Sequence, residues 1–330
     1  MIQLLHSSGI SPEGIDGKIV IGINDWLIQV GQNRSAGSFE KLLVVIDEIC
    51  QDACLEMERQ GCPPRYARAL LLKIANLLIA KAQYQERHDQ LISFPYALFI
   101  DPANGCPLHC PGCLHNSVFQ QKIHPDWPNG FLSETVYSHF MRCYGPYATH
   151  AMFYNWGEPL LNRQTPQLIR VAKSYMLQTS LSSNLSLEFD AEDLVSSGLD
   201  YMVLSIDGLT DDTYNKYRRG GRLRFVLENV HRLVAAKKKL GMATPVLSWQ
   251  FLLFEHNRHE VPAVKKLARE MGVNEIHFAM PYGVPWDASI LPARDAKPEY
   301  VSIVDDPAAW HIEEIPFARR LAEDFDLLFD

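Results

Sequence analysis

Tyr96-Ala-Leu-Phe-Ile-Asp-Pro-Ala-Asn-Gly-Cys-Pro-Leu-His-Cys-Pro-Gly-Cys-Leu-His115 joins an apolar strand signal to a loop crowded with three cysteines, Cys106, Cys110 and Cys113. Thiolates are soft ligands that suit iron-sulfur clusters. A four-iron cube held by only three of them keeps one iron open to a non-protein ligand. The spacing, three residues and then two, lets one loop wrap a cube without help from distant segments. Gly105 and Gly112 let backbone N–H groups approach sulfide, or serve as plain turn residues. Zinc competes for the same thiols, since His109 or His115 completes an ordinary Cys3His set. A disulfide fits less well, because no charged segment followed by an apolar signal core opens the chain and its seven cysteines are an odd number. A cytoplasmic setting is expected.

At 330 residues and 47% hydrophobic content, the chain can bury one large core, or one core and a smaller helical unit. No apolar run reaches the roughly 20 residues of a membrane span. A formal charge of −8 argues against a nucleic-acid binder, which presents a broad basic face. Lys237-Lys238-Lys239 reads as the solvated end of a helix, where positive charge suits the dipole.

Residues 1–92 carry apolar positions at helical spacing (Leu42, Val45, Ile46 and Ile49, then Leu70, Ile74, Leu77 and Leu78) and are expected to form a mainly helical unit. Cys50, Cys54 and Cys62 fall there and read as buried thiols, since Gly61 and Pro63-Pro64 end the helix before all three can share a face. From Phe94 onward strand and helix signals alternate. Strands are expected at Tyr96–Ile100, Ala151–Asn155, Ser180–Leu185, Tyr201–Ile206, Val246–Phe254 and Glu275–Met280. Helices are expected at Glu134–Cys143 behind Ser133, from Thr165-Pro166 to Met176, at Leu223–Lys239, and from Glu260 to Met271 before Gly272. A closed eight-unit barrel takes about 200 to 250 residues, more than this stretch supplies. The expected fold is therefore α/β, a partial (β/α)6 TIM-like barrel over 93–283, flanked by the helical unit and by a tail, 284–330, over the barrel opening or a partner surface. Ligands in such folds bind at the carboxyl ends of the strands.

The CxxxCxxC spacing closely resembles that of radical SAM enzymes. The resemblance implies the same partial barrel, a [4Fe-4S] cluster on Cys106, Cys110 and Cys113, and S-adenosylmethionine bound at the open iron. It also implies reductive cleavage to a 5′-deoxyadenosyl radical that takes hydrogen from a substrate. Tyr154-Asn-Trp-Gly-Glu-Pro-Leu-Leu161 resembles the family's GGEP element, with Trp156 in place of the first glycine, and this implies that Gly157 and Glu158 hold the methionyl amino group. Ser183 and Asn184 close the third strand, and Ser205 and Asp207 the fourth, where the family binds ribose hydroxyls or the methionyl carboxylate. Tyr214-Asn-Lys-Tyr-Arg-Arg-Gly-Gly221 is expected to follow a short helix, and there Arg218 matches the family's basic residue against that carboxylate. Gln250 is placed to face the barrel interior, toward adenosine or substrate, and Asn257 is expected to cap the next helix. Gly112 stands where the family has an aromatic residue, which leaves adenine less enclosed or shifts its contact to Leu114.

Asn155-Trp-Gly-Glu-Pro and Ser205-Ile-Asp-Gly look most like the peptide-maturase branch, which carries a C-terminal SPASM extension with auxiliary-cluster cysteines. No cysteine follows Cys143, so no auxiliary cluster of that type can form from this chain. A peptide or other small molecule is the expected substrate, with a reducing electron donor such as flavodoxin or ferredoxin. Tyr154, Trp156, Trp249 and Tyr282 are candidate walls of its cavity. A non-catalytic zinc or redox-sensing protein is the alternative. A polar methyltransferase is disfavoured because no glycine-rich loop follows the first strand.

Overall fold

A computed structural model describes residues 64–113, 130–281 and 290–303, apart from 86 and 294, together with the single positions 55 and 59. The expectations for Cys50, Cys54, Cys62, Leu114, His115, Tyr282 and most of the tail lie outside the described residues.

The chain enters through a helix, α1 (Pro64–Gln85). Strands and helices then alternate: β1 (Ala97–Phe99), α2 (Glu134–Tyr144), β2 (His150–Phe153), α3 (Thr165–Ser174), β3 (Gln178–Ser183), α4 (Ala191–Ser196) and β4 (Tyr201–Ser205). After these come α5 (Asp211–Tyr217), α6 (Leu223–Leu240), β5 (Val246–Leu252), α7 (Val261–Met271), β6 (Glu275–Ala279) and β7 (Glu299–Ser302). The strands lie side by side in chain order. Every neighbouring pair from β1 to β6 is parallel, whereas β7 runs antiparallel to β6 with Glu275 opposite Ser302. β1 and β7 remain edges, so the sheet curls as an open barrel rather than a closed one.

The buried helix faces follow the 3.6-residue period. Leu168, Ile169 and Ala172 of α3, Val226, Val230 and Leu233 of α6, and Val264, Ala268 and Met271 of α7 meet one side of the sheet. Phe153, Leu181, Met202, Leu204, Leu247, Trp249, Phe251 and Ile276 face them from the strands. Each such side chain contributes about 1.5 to 3 kcal/mol on leaving water. Alternation along β5 then turns Ser248, Gln250 and Leu252 to the other, concave side. Trp249 is thereby excluded as a wall of the barrel interior: it is fully buried on the helix side, its Nε1 donating to the Ile206 carbonyl at 2.8 Å.

Local signals act as read at several helix ends. Ser133 caps α2 by accepting from the Val136 amide at 3.3 Å, α3 opens on Thr165-Pro166, and α7 stops at Gly272. Two elements, α4 and β7, have no counterpart in the sequence reading, and a third, α5, reaches further along the chain than the short helix expected before Tyr214. α4 starts behind Asp190, whose side chain accepts from Asp193 N. α5 starts behind a reciprocal Thr210–Thr213 cap and contains Tyr214 and Tyr217. β7 forms within the stretch read as tail. Among the described residues no helix is long and apolar enough to cross a membrane.

Candidate functional site

The cysteine loop leaves β1 and lies across the carboxyl ends of the strands. Leu108, Cys110, Tyr217, Phe254 and Ile290 form a small buried cluster there, with Cys106, Cys113 and Leu252 packed on it. Backbone bonds fasten the loop at both ends: the Glu158 amide donates to Gly105 O at 2.7 Å, and the His109 amide to Arg219 O at 2.9 Å. Asp101 Oδ1 accepts from the Trp156 amide at 2.9 Å, tying the exit of β1 to the exit of β2.

Two glycines carry this arrangement. A Cβ on Gly157 would stand 1.9 Å from the Ala103 carbonyl oxygen, so the loop can cross β2's exit only over a residue without a side chain. Gly112 adopts φ +77°, a left-handed conformation that costs an aromatic residue strain. That accounts locally for glycine standing where the family has an aromatic.

Cys110 is buried, and Cys106 and Cys113 are half-buried. Burial pushes the Cys106 thiol up to about 12, with Glu158 and the other thiols adding to the rise. Cys110 is also raised by burial, and Arg218 opposes that rise. Thiols in such surroundings ionise when cationic metal offsets the lost hydration. Among the described residues no three His, Cys, Asp or Glu side chains converge on a single-ion position.

Glu158 is buried beside Cys106. Its Oε1 accepts from Ser183 Oγ at 2.7 Å and from the Leu160 amide at 3.2 Å, and its Oε2 from the Asn184 amide at 2.8 Å. Burial raises this carboxyl to about 7, although those three donors and Arg218 pull it down. Asn184 donates through Nδ2 to Cys106 Sγ at 3.5 Å. On the other flank, Asp207 Oδ2 meets Arg218 Nε at 2.5 Å, and Oδ1 accepts from the Leu252 amide at 2.6 Å. Burial opposes the Arg218 charge, but Asp207 and Cys110 hold the guanidinium protonated well above its ordinary range.

The anticipated residues therefore fall into three sets. Glu158, Ser183 and Asn184 adjoin Cys106, and Asp207 and Arg218 adjoin Cys110. Ser205 and Gln250 pair in register on the concave side, where Ser205 Oγ also lies 3.3 Å from Ser182 Oγ. Tyr154 stands on that side as well, edge-on to Phe99. Asn257 does not cap a helix. Its Oδ1 accepts from the Phe254 amide at 2.8 Å, and its Nδ2 donates to Asp207 O and Leu252 O, binding the ends of β4 and β5 together. Glu260 was not anticipated: it accepts from Thr213 Oγ1 at 2.8 Å and the Leu209 amide at 3.0 Å, bracing the segment that delivers Arg218. Its place at the start of a helix reads as an exposed carboxylate.

The concave polar face, the rim of buried polar side chains and the thiol loop all belong to one stretch of chain. A model of the radical SAM superfamily matches residues 100–268, half of the sequence. The PqqA peptide cyclase of Gluconobacter oxydans is 25% identical over 222 residues, covering 65% of this chain and 58% of that protein. A probable GTP 3′,8-cyclase of Methanococcus maripaludis is 30% identical over 175 residues, covering 52% of this chain and 50% of its own. This chain thus spans less than two thirds of the length of either. Among solved structures, Streptococcus suis SuiB bound to S-adenosylmethionine superimposes with a TM-score of 0.53 at 15% identity, covering 77% of this chain and 58% of that one. The family match begins one residue beyond β1 and ends inside α7, so it takes in the cysteine loop and the exits of β2 to β5, and the chain belongs to the radical SAM superfamily.

Proposed function

We propose that Cys106, Cys110 and Cys113 hold a [4Fe-4S] cluster at the mouth of the open barrel, with S-adenosylmethionine beside it and a peptide substrate on the concave face. The observation that carries this reading is the thiol loop itself, three cysteines gathered in one buried cluster at the carboxyl ends of parallel strands. When bound, the cluster and S-adenosylmethionine supply one-electron cleavage of the sulfonium, giving a 5′-deoxyadenosyl radical that abstracts hydrogen from an unreactive C–H bond.

The chain's own groups position and enclose. Glu158 clamps the exits of β2 and β3 and leaves acceptor capacity on Oε2 for the methionyl ammonium, beside the backbone that Gly157 permits. Ser205 and Gln250, neighbours across β4 and β5, offer hydroxyl and amide to the nucleoside or the substrate. Tyr154 walls the concave side and excludes water from it. A peptide is the favoured substrate because one relative is named a peptide cyclase. The electron comes from a reduced flavodoxin or ferredoxin. Residues 93–283 form the catalytic core, with 1–92 and 284–330 as its flanking parts.

Anaerobic reconstitution followed by reduction tests the reading. The wild-type chain is expected to convert S-adenosylmethionine to 5′-deoxyadenosine and Cys110→Ala to lose that conversion by more than a hundredfold, about 2.7 kcal/mol or more in barrier. A preparation holding one tetrahedral zinc and no acid-labile sulfide would sink it.

A further inference from the structure

Two of the three thiols have a side-chain donor beside them from outside the loop, Asn184 just past β3 and Arg218 at the end of α5, and both donors are locked by further bonds. Asn184 presents its amide nitrogen to Cys106 Sγ at 3.5 Å, while its Oδ1 accepts from the Ser186 amide at 2.9 Å. That second bond fixes which end of the amide faces the sulfur. Arg218 is the residue at which α5 ends, and only 12% of its side chain is exposed. Its Nε is taken by Asp207, so the fork's remaining N–H groups are directed by a carboxylate that is itself pinned to the Leu252 amide. The guanidinium lies 5.1 Å from the centre of the Tyr217 ring, which packs in the same buried cluster as Cys110, and its positive charge favours the thiolate of Cys110. Leu108, Tyr217, Phe254 and Ile290 enclose that thiol, so solvent screens the interaction little.

We propose that Asn184 and Arg218 are positioning residues for the cluster itself, setting its reduction potential through the sulfurs of Cys106 and Cys110, with Asp207 holding Arg218 in place. This rests on the cluster reading above. It assigns the two residues to sulfur rather than to the methionyl carboxylate. The physical reason is charge balance: one electron from the flavodoxin- or ferredoxin-type donor enters the cluster, no bond breaks, and the cluster becomes one unit more negative. A fixed cation and a fixed amide donor against its thiolates favour that reduced form. Asp207 takes part of the Arg218 charge, so removing it raises the potential if the guanidinium stays in place and lowers it if the guanidinium swings away.

The test is an EPR-monitored redox titration of the full-length, anaerobically reconstituted protein without S-adenosylmethionine, beside a binding titration with it. Arg218→Gln is expected to lower the equilibrium constant for cluster reduction at least tenfold, about 59 mV for one electron. Arg218→Lys should recover part of that loss, and Asn184→Ala should show a smaller fall in the same direction. Should Arg218→Gln fail to hold iron because Asp207 is left uncompensated, Arg218→Lys, which keeps the charge but not the fork, and Asn184→Ala, which leaves the Asp207–Arg218 pair intact, carry the measurement, each with a fall in the same direction. Potentials that stay within twofold of wild type in reduction constant, while S-adenosylmethionine affinity falls tenfold, would overturn the proposal and return both residues to the carboxylate. Iron and acid-labile sulfide counts separate the two levels: wild-type protein without sulfide overturns the cluster reading and this proposal with it, whereas a full cluster indifferent to both variants overturns this proposal alone.

Discussion

The helix side of the sheet and its carboxyl-end rim are built on opposite principles. On the helix side Phe153, Leu181, Leu204, Trp249 and Phe251 are fully buried among aliphatic helix residues, and their contacts have little direction. On the rim Glu158, Ser183, Asn184, Asp207 and Asn257 are nearly as buried, yet each is spoken for by directed bonds to partners distant in sequence. The first arrangement needs volume and accepts isosteric exchange. The second needs each partner, because removing one leaves a buried polar group unpaired, at about 1 to 3 kcal/mol. Stability is thus carried mainly on one side of the sheet and geometry for chemistry on its edge.

The largest expected effect probes the helix side. Trp249→Ala is expected to cost about 3 to 5 kcal/mol, since it empties a fully buried indole site and leaves the Ile206 carbonyl without its donor. Chemical denaturation measures this, and a loss below about 1 kcal/mol would contradict the division drawn above. A rim perturbation of intermediate size comes from Glu158, whose carboxyl moves from 4.5 in the open chain to about 7 in the fold because it is buried. The folded state holds this proton more tightly than the unfolded one. The contribution is therefore complete below pH 4.5, declines as pH rises, and is gone above about 7. The metal-free chain is expected to lose up to about 3 kcal/mol over that window, and Glu158→Gln to flatten the dependence. Urea midpoints across the window check it; equal slopes in both proteins would mean that another group is responsible.

What was legible in the sequence follows the same division. The six parallel strands and four of the helices carry their signal within a few residues, as period, cap or breaker, and they appear with boundaries shifted by a residue or two. The cysteine loop was legible for the same reason, since all three thiols sit in one turn of chain. α4 has six residues, too few for a period to emerge. Glu299–Ser302 is short and half-exposed, so its alternation is weak and only the β6 edge makes it a strand. The bonds that organise the rim were invisible locally: Asn184 reaches Cys106 across 78 positions, and Asn257 reaches Asp207 across 50. Trp249 was misplaced because a strand buried on both faces does not announce which residue faces which side.

α1 provides the smallest effect and the sharpest boundary case. Beside the buried Leu77, three of its inward positions are polar: Lys73 donates to Gly145 O at 2.7 Å and also to Ala148 O, and Asn76 exchanges bonds with Phe94 and reaches Tyr147 O. Gln83 accepts from the Ser93 amide at 3.0 Å. A lysine at helical spacing reads as solvated, but Lys73 is 1% exposed and points at carbonyls just beyond the end of α2, where a positive charge suits the dipole. Lys73→Met removes two hydrogen bonds and, at the same time, the cost of burying an ammonium. The net loss is expected to be about 1 kcal/mol, felt as faster amide exchange over α1 and the 145–148 turn with β3 to β5 unchanged. Exchange that rises equally through the central strands would mean that α1 is integral to the sheet's core and that the rim rule of directed bonds between distant residues does not extend to it.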